Sequence, residues 1–500
     1  VKTLTLPRLL AVIATLAVFA MAFRAPVDTD TYWHLRAGQW QVENHAILQV
    51  DVFSHTRAGS AWVNHSWLSQ VILYAAFAVL GDFGLALYTA LLATAGMAFI
   101  YACTKGAGPL VRAAAIVAAA ATAAVFWSAR PQMMSFLLSA VVYWLLWRWR
   151  EEGKDWLWAL PPVMALWANL HGGFAIGFVL MVLALMGETA RWLFDGVLHR
   201  GQADPDASAA FPRLVRLGIV GLVSAAAISL NPYGPAMLLY PFRTVGIGVL
   251  RDFIQEWASP DFHQTNLLPF LFLLLTTLGA AGLSRRRLDW SDAALVIGTA
   301  ASALLAGRNI AVFAITAAPV WARHVDSWLA EHGYKLRWGE GKLALNWALA
   351  ALVGALVVLR VASELNPATV EAARAATLPV EAVDCMVRED PPGPLFNSYN
   401  WGGYLIWTAR DYPVYVDGRT DLYDDELLRG YLRTAYAQEG WEEGLSGINV
   451  VLIERSSPLA RVLEMTADWH VLCQDDVAMV FVRNEPLALS HRGCHDITCP

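Results

Sequence analysis

Eleven apolar runs punctuate the first 361 residues, and no other feature narrows the fold so far. They fall at 8–23, 84–104, 111–127, 131–149, 156–170, 173–195, 214–230, 266–284, 291–306, 309–322 and 344–361. Each is close to the length that crosses about 30 Å of hydrocarbon. Inside a bilayer the backbone must satisfy its own hydrogen bonds, so such runs predict a bundle of transmembrane helices. Composition agrees, with 57% hydrophobic residues and 16% charged, where soluble domains carry about 25% charged. Twenty-two Trp and fifteen Tyr suit a protein with two membrane–water interfaces. Residues 67–80 form one more apolar stretch. It reads as a re-entrant or interfacial helix, because counting it as a span would spoil the charge pattern.

That pattern sets the orientation. With the N-terminus cytoplasmic, the inner loops hold 18 Lys and Arg and the outer loops seven, and every inner loop is basic. The same orientation exports residues 362–500, which carry ten Arg against 22 Asp and Glu and are much less apolar. The expected division is therefore a membrane domain over 1–361, with a first outer loop at 25–83, and an exported domain over 362–500. The first run is short and follows basic residues, so a cleaved leader is the alternative for it. No clear A-x-A site supports cleavage. A net charge of −6 speaks against nucleic-acid binding. With no G-x-x-x-x-G-K-[ST] loop and no G-x-G-x-x-G turn, no nucleotide cofactor is expected.

Orientation was set by Lys and Arg alone, yet it gathers the unusual polar motifs on the outer side. Asp28 and Asp30 lie in DTDTYWH (28–34), just beyond a span end, with His34 closing the motif. Two carboxylates one residue apart suit a hard divalent cation, Mg2+ or Mn2+, completed by phosphate oxygens. One of them suits a general base instead, and the plain alternative is a capped helix start. Trp33 and Trp40, seven apart, share a helix face suited to the interface. Asn169 and His171 stand in NLHGG, after a span interrupted by Pro161-Pro162. Histidine there serves a metal or a phosphate, or simply bonds a neighbouring carbonyl. Asn231 and Tyr233 belong to a turn motif, NPYG, that needs no function. Glu256, in EWASPDF, is a third candidate metal ligand or a solvated acid. Arg130 in SARPQ and Arg308 in GRN each follow an outer-facing span end, beside Asn309 in the second case. Arginine is suited to bidentate phosphate binding, and snorkelling to lipid headgroups is the alternative. Together these groups describe an outer-leaflet pocket at the depth of a lipid phosphate.

The run D-x-D-x-x-W-H, the W-V-x-H-x-W-L-S-Q spanning Trp62 to Gln70 with His65, and the later N-L-H-G-G, N-P-Y-G, E-W-x-S-P and G-R-N resemble bacterial multi-span proteins of the GT-C glycosyltransferase type. The resemblance extends over most of the chain, including Tyr399–Tyr404 and Val416–Arg419 in the tail. The wider class includes oligosaccharyltransferase catalytic subunits, protein mannosyltransferases and aminoarabinose transferases. The resemblance implies a bacterial cytoplasmic-membrane enzyme that takes a sugar from a polyprenyl-phosphate donor at the outer face. It also implies a first loop folded into surface helices, which matches 31–45 and 67–80. Asp28 or Asp30 would hold the place of the class's first-loop acid, binding metal or activating the acceptor, while arginines hold the donor phosphate. The tail lacks a W-W-D-Y-G motif, so transfer to peptide asparagine is not expected.

From about residue 380 the pattern becomes that of a small α/β domain. Residues 413–418, 448–454, 469–474 and 478–483 read as strands, and 424–438 and 457–466 as helices. Trp401–Tyr404 and the Asp417, Arg419, Asp421 set either serve the pocket or supply turn and strand-end chemistry. Of five cysteines, Cys385, Cys473, Cys494 and Cys499 are in the exported part, where disulfides persist. Cys385–Cys473 with Cys494–Cys499 is the expected pairing, free thiols the alternative. The function expected is sugar transfer from a polyprenyl-phosphate carrier to a lipid, glycan or protein acceptor. The alternatives are a silent assembly subunit of the same fold, or a lipid or polysaccharide transporter.

Overall fold

A computed structural model describes residues 4–198, 210–246, 248, 255–334 and 343–487. They form two compact units, Val1–Pro26 with Asn64–Asn366, and Val27–Val63 with Pro367–Pro500.

The first unit is a helical bundle: α1 (Leu6–Ala22), α3 (Trp67–Cys103), α4 (Pro109–Ala123), α5 (Gln132–Glu151), α6 (Leu160–Leu170), α7 (Ala175–Ala190), α8 (Ala210–Ala227), α9 (Tyr240–Val245), α10 (Leu268–Leu283), α11 (Trp290–Leu305), α12 (Ile310–Glu331) and α13 (Leu343–Glu364). Every one of the eleven apolar runs is helical. Proline opens α1, α4, α6 and α10 in the first turn, where its missing N–H costs no hydrogen bond. Pro161-Pro162 therefore starts α6 after a 3-10 turn at Leu157–Ala159 and does not interrupt a span. α3 is two helices joined at Gly81, whose φ of 60° and ψ of −144° break the helix. The break separates residues 67–80 from the apolar helix that follows them.

Among the described residues, five helical segments are both long and apolar enough to cross a membrane: Trp67–Cys103, Pro109–Phe126, Gly172–Asp195, Thr265–Leu283 and Leu343–Glu364. Leu6–Ala22, Leu157–Leu170 and Trp290–Leu305 are shorter apolar helices. α1 packs on α3, α4 and α13; α12 packs on α4, α10 and α11; α7 lies against α8 and α11. α13 leaves Leu356, Val358 and Leu359 more than half exposed, an apolar face that lipid would cover. At the C-terminal end of α5, Arg150 binds Asp289 (2.7 Å) and Asp292 (3.1 Å), and Arg323 binds Asp292 (2.5 Å). These pairs tie α5, α11 and α12 together.

The second unit holds α2 (Thr29–Asn44), α14 (Pro367–Ala375), α15 (Val380–Glu389), α16 (Gly402–Thr408), α17 (Asp425–Ala435), α18 (Pro458–Glu464) and four strands. These are β1 (Leu395–Asn397), β2 (Val450–Glu454), β3 (Trp469–Gln474) and β4 (Ala478–Arg483), in the order β1-β2-β4-β3. β1 runs parallel to β2, and the other pairs are antiparallel. Three of the four expected strands form, but 413–418 does not. There Asn397 takes the ladder's role, accepting from Tyr415 N–H (2.7 Å) and donating to the Val416 carbonyl (2.8 Å). β1 stands in its place in the sheet, and its three residues are too few to show a period.

Residues 27–63, expected with the membrane domain, belong to this second unit. Buried groups explain the attachment. Arg419 and Asp51 are fully buried and paired at 2.7 Å, Phe53 and His55 exchange backbone bonds with Val414, and Thr56 donates to the Tyr415 carbonyl. Cys385 and Cys473 form a disulfide joining α15 to β3, while Cys494 and Cys499 lie outside the described residues.

Candidate functional site

Within the first unit, chain segments far apart in sequence meet where helices end. Arg130 immediately precedes the proline that caps α5. Its Nη2 lies 2.7 Å from Glu256 Oε1, and its Nε donates to Ser128 Oγ at 3.1 Å. Arg308 sits on the 3-10 turn Gly307–Asn309 between α11 and α12, with its guanidinium 4.2 Å from the centre of the Trp257 ring. Gly307 N–H donates to the Ala258 carbonyl (2.9 Å), which fixes the Glu256–Ala258 turn beside it. Burial works to raise the Glu256 carboxyl. Arg130, and then Arg308, overcome that and hold it below the usual carboxylate range. Two guanidinium groups thus act on the Glu256 carboxylate.

His171 follows α6 in extended backbone and caps the turn Gly172–Phe174. Its Nδ1 accepts from Gly173 N–H at 3.0 Å and lies 2.7 Å from Ser135 Oγ. Ser135 in turn accepts from Trp167 Nε1 at 2.7 Å. Since Nδ1 is an acceptor, the ring proton of neutral His171 is assigned to Nε2. Burial first, then His65, Arg308 and Arg130, push the imidazole well below its ordinary value, so it is neutral at pH 7. The His65 ring lies 5.6 Å from it and stacks on Tyr240 at 4.7 Å, with His65 Nδ1 and Tyr240 Oη 2.6 Å apart. A Cβ at Gly172 would come within 2.5 Å of Tyr240 and 3.0 Å of His65. Only glycine admits those rings so close to the backbone.

The remaining candidates in this unit act as brackets. Asn169 accepts from Trp67 Nε1 (3.1 Å) and donates to the Leu230 carbonyl (2.8 Å). Asn231 donates to the Ala168 carbonyl (2.8 Å) and accepts from Tyr233 N–H. Tyr233 Oη accepts from Asn64 N–H at 2.8 Å, and Asn309 donates to the Ser302 carbonyl at 3.1 Å. Ser135, Trp167 and Tyr240 were not anticipated. Ser135 and Trp167 are inside apolar runs, where one polar group has no spacing to mark it.

The acidic pair lies in the second unit. Asp28 is the N-cap of α2 and accepts from Asp30 N–H at 3.0 Å. Asp30 stands in the first turn, where the helix dipole favours a carboxylate, and accepts from Trp33 Nε1 at 3.1 Å. A Cβ at Gly418 would lie 1.9 Å from Asp30 Oδ1, so the 416–419 turn closes directly on this acid. His34 is buried with its ring 3.5 Å from that of Trp33. Trp33 is itself buried against Trp62 (5.9 Å) and does not face an interface. Arg419 is enclosed by Asp417 (2.9 and 2.7 Å) and Asp51, with Tyr423 donating to Asp417 at 2.7 Å. This motif is a buried staple. Among the described residues no three His, Cys, Asp or Glu side chains gather into a metal-sized set. Glu256 is engaged by Arg130. The described residues do not compose a metal site.

No family model and no curated protein matches this sequence. Solved structures do. The archaeal oligosaccharyltransferase AglB from Archaeoglobus fulgidus, in complex with an inhibitory peptide and a dolichol-phosphate, aligns at 12% identity over 89% of this chain and 69% of that one, with a TM-score of 0.57. ArnT from Cupriavidus metallidurans, bound to undecaprenyl phosphate, aligns at 12% identity over 95% of this chain and 97% of that one, with a TM-score of 0.52. The arabinofuranosyltransferase AftD from Mycobacteria aligns at 13% identity over 95% and 40%, with a TM-score of 0.50. The fold is that of GT-C membrane enzymes, a helical bundle with a C-terminal α/β domain.

Proposed function

We propose that this chain is a membrane glycosyltransferase that moves a hexosyl or pentosyl group from a polyprenyl-phosphate donor to a lipid, glycan or protein acceptor at the outer face of a bacterial cytoplasmic membrane. The observation that carries the reading is the pairing of Arg130 and Arg308 around a single carboxylate, beside a neutral imidazole. Two largely shielded guanidinium groups at one helix-end cluster suit a phosphate oxygen. The neighbours whose structures contain dolichol-phosphate and undecaprenyl phosphate support the same donor class. The basic inner loops support a cytoplasmic N-terminus and an exported tail.

The chemistry then assigns roles. The acceptor hydroxyl attacks the anomeric carbon and loses its proton to Asp28 or Asp30, acting as general base. The bond from anomeric carbon to phosphate oxygen breaks, and that oxygen keeps the electron pair. Arg130 and Arg308 stabilise the charge it gains, and His171 Nε2–H donates to the phosphate.

The test is transfer from a panel of radiolabelled polyprenyl-phosphate sugars in proteoliposomes. The native chain is compared with Asp28→Asn, Asp30→Asn, Arg130→Gln and Arg308→Gln. One Asp→Asn change is expected to lower kcat by about 10²–10⁴-fold, and the arginine changes to weaken donor use. Equal transfer by all five proteins would remove these residues from the reaction. A second reading, a subunit that binds donor without turnover, is favoured by the closed Arg130–Glu256 pair. It predicts donor binding with no transfer for any sugar.

A further inference from the structure

A second charged site lies at the opposite end of α5 from Arg130. A cleft of about 370 Å³ opens there, lined by Lys105, Arg112, Trp144, Trp147, Arg148 and Glu152. Twenty residues of α5 separate the two ends, roughly 30 Å along the helix. Three cations line the cleft against one carboxylate. Glu152 is already shared, with Lys105 Nζ at 2.8 Å and both Arg148 Nε and Lys154 Nζ at 3.4 Å. The hydrogen bond from Lys105 holds its carboxyl below the ordinary range, so it is ionised and cannot neutralise more.

Among the described residues Arg112 donates to neutral oxygens, Thr104 Oγ1 and the Tyr101 carbonyl, both at 3.1 Å, with its guanidinium 4.0 Å over the Tyr101 ring. Its charge has no counter-ion in these contacts. Arg148 is held between the rings of Trp144 (4.8 Å) and Trp156 (4.1 Å), and Trp156 is 50% exposed. Trp147 is buried and completes the lining. A cationic cleft with a rim of Trp rings suits a phosphodiester whose acyl chains lie in the bilayer.

We infer that this cleft binds the phosphate of an anionic phospholipid from the leaflet that the basic loops face. The inference needs nothing from the sugar-transfer reading, since its residues lie on other helix ends.

Native mass spectrometry of the full chain tests it, with phosphatidylglycerol or phosphatidylcholine added to detergent-solubilised protein. The native chain is expected to retain phosphatidylglycerol and not phosphatidylcholine. Arg112→Gln and Lys105→Gln are each expected to weaken retention roughly five-fold, and Arg112→Lys to restore most of it. Glu152→Gln removes the one carboxylate of the lining and is expected to strengthen retention, a gain that misfolding cannot imitate. Equal retention of phosphatidylglycerol by the native chain, Arg112→Gln and Glu152→Gln would overturn the site. Displacement of the lipid by millimolar inorganic phosphate would overturn the lipid assignment in favour of a soluble phosphate ester.

Discussion

At the scale of single residues, charge and burial decide which polar groups bind and which brace. Glu256 shows the balance. Its folded value lies below the ordinary 4.5 because Arg130 and Arg308 outweigh burial. A depressed carboxylate adds stability that is complete above its unfolded value and is lost as pH falls through the folded one. Glu256 is 39% exposed, so screening limits that contribution to about 1 kcal/mol. The melting temperature of the native chain is therefore expected to fall slightly more than that of Glu256→Gln on acidification below about pH 4.5. Identical acid profiles would mean that the pair does not stabilise the fold. Arg419 has no exposed side-chain surface, and its charge is matched by Asp417 and Asp51. Arg419→Met is expected to cost about 3–5 kcal/mol, because two carboxylates are left buried without a counter-charge. Denaturant titration measures it, and adding Asp51→Asn with Asp417→Asn should recover part of the loss. Arg130, Arg308, His171 and Glu256 could be picked out in the sequence because polar groups beside span ends stand out against apolar runs. The hydrogen bond between His65 and Tyr240, 175 positions apart, had no such signal.

At the scale of elements, turn chemistry governs. Gly81 has a positive φ with a strongly negative ψ, a combination essentially confined to glycine. Gly81→Val is expected to destabilise the protein by about 1–3 kcal/mol and to lower its melting temperature. Gly172 makes a different demand, space for the rings of Tyr240 and His65. Gly172→Ala is expected to reduce sugar transfer at least about ten-fold through misplacement of the site, with a smaller effect on melting than Gly81→Val. Retained transfer would show that the His65–Tyr240 pair is dispensable. The helices were legible because hydrophobic length is a long signal, repeated eleven times. The strands were legible where β-branched and aromatic residues cluster in a short run, as at Val450–Glu454 and Ala478–Arg483. Residues 413–418 share that look but bond to the Asn397 side chain and, at Val414, to the backbone of Phe53 and His55, outside the sheet.

At the scale of the whole molecule, two units divide the labour, and each has its own test. The disulfide Cys385–Cys473 closes a separation of 88 residues, long enough for about 4 kcal/mol of loop entropy in the unfolded chain. Cys385→Ser is expected to lower the unfolding midpoint of the second unit with little effect on the bundle. Accessibility labelling checks orientation: Lys154→Cys should react from the cytoplasmic side only, and Glu439→Cys from the outside only. Reaction of both from one side would overturn the proposed topology. The sequence by itself determined the helical bundle, since a run of apolar residues in lipid has few ways to satisfy its backbone. It also determined the acidic α/β tail, through the change in charge and period near residue 362. Only the tertiary structure decided that residues 27–63 belong with that tail, that Arg419 is a buried staple, and that Glu256 answers Arg130. Those outcomes depend on pairs more than 100 positions apart, and no local spacing in a chain records which distant partner will neutralise a buried charge.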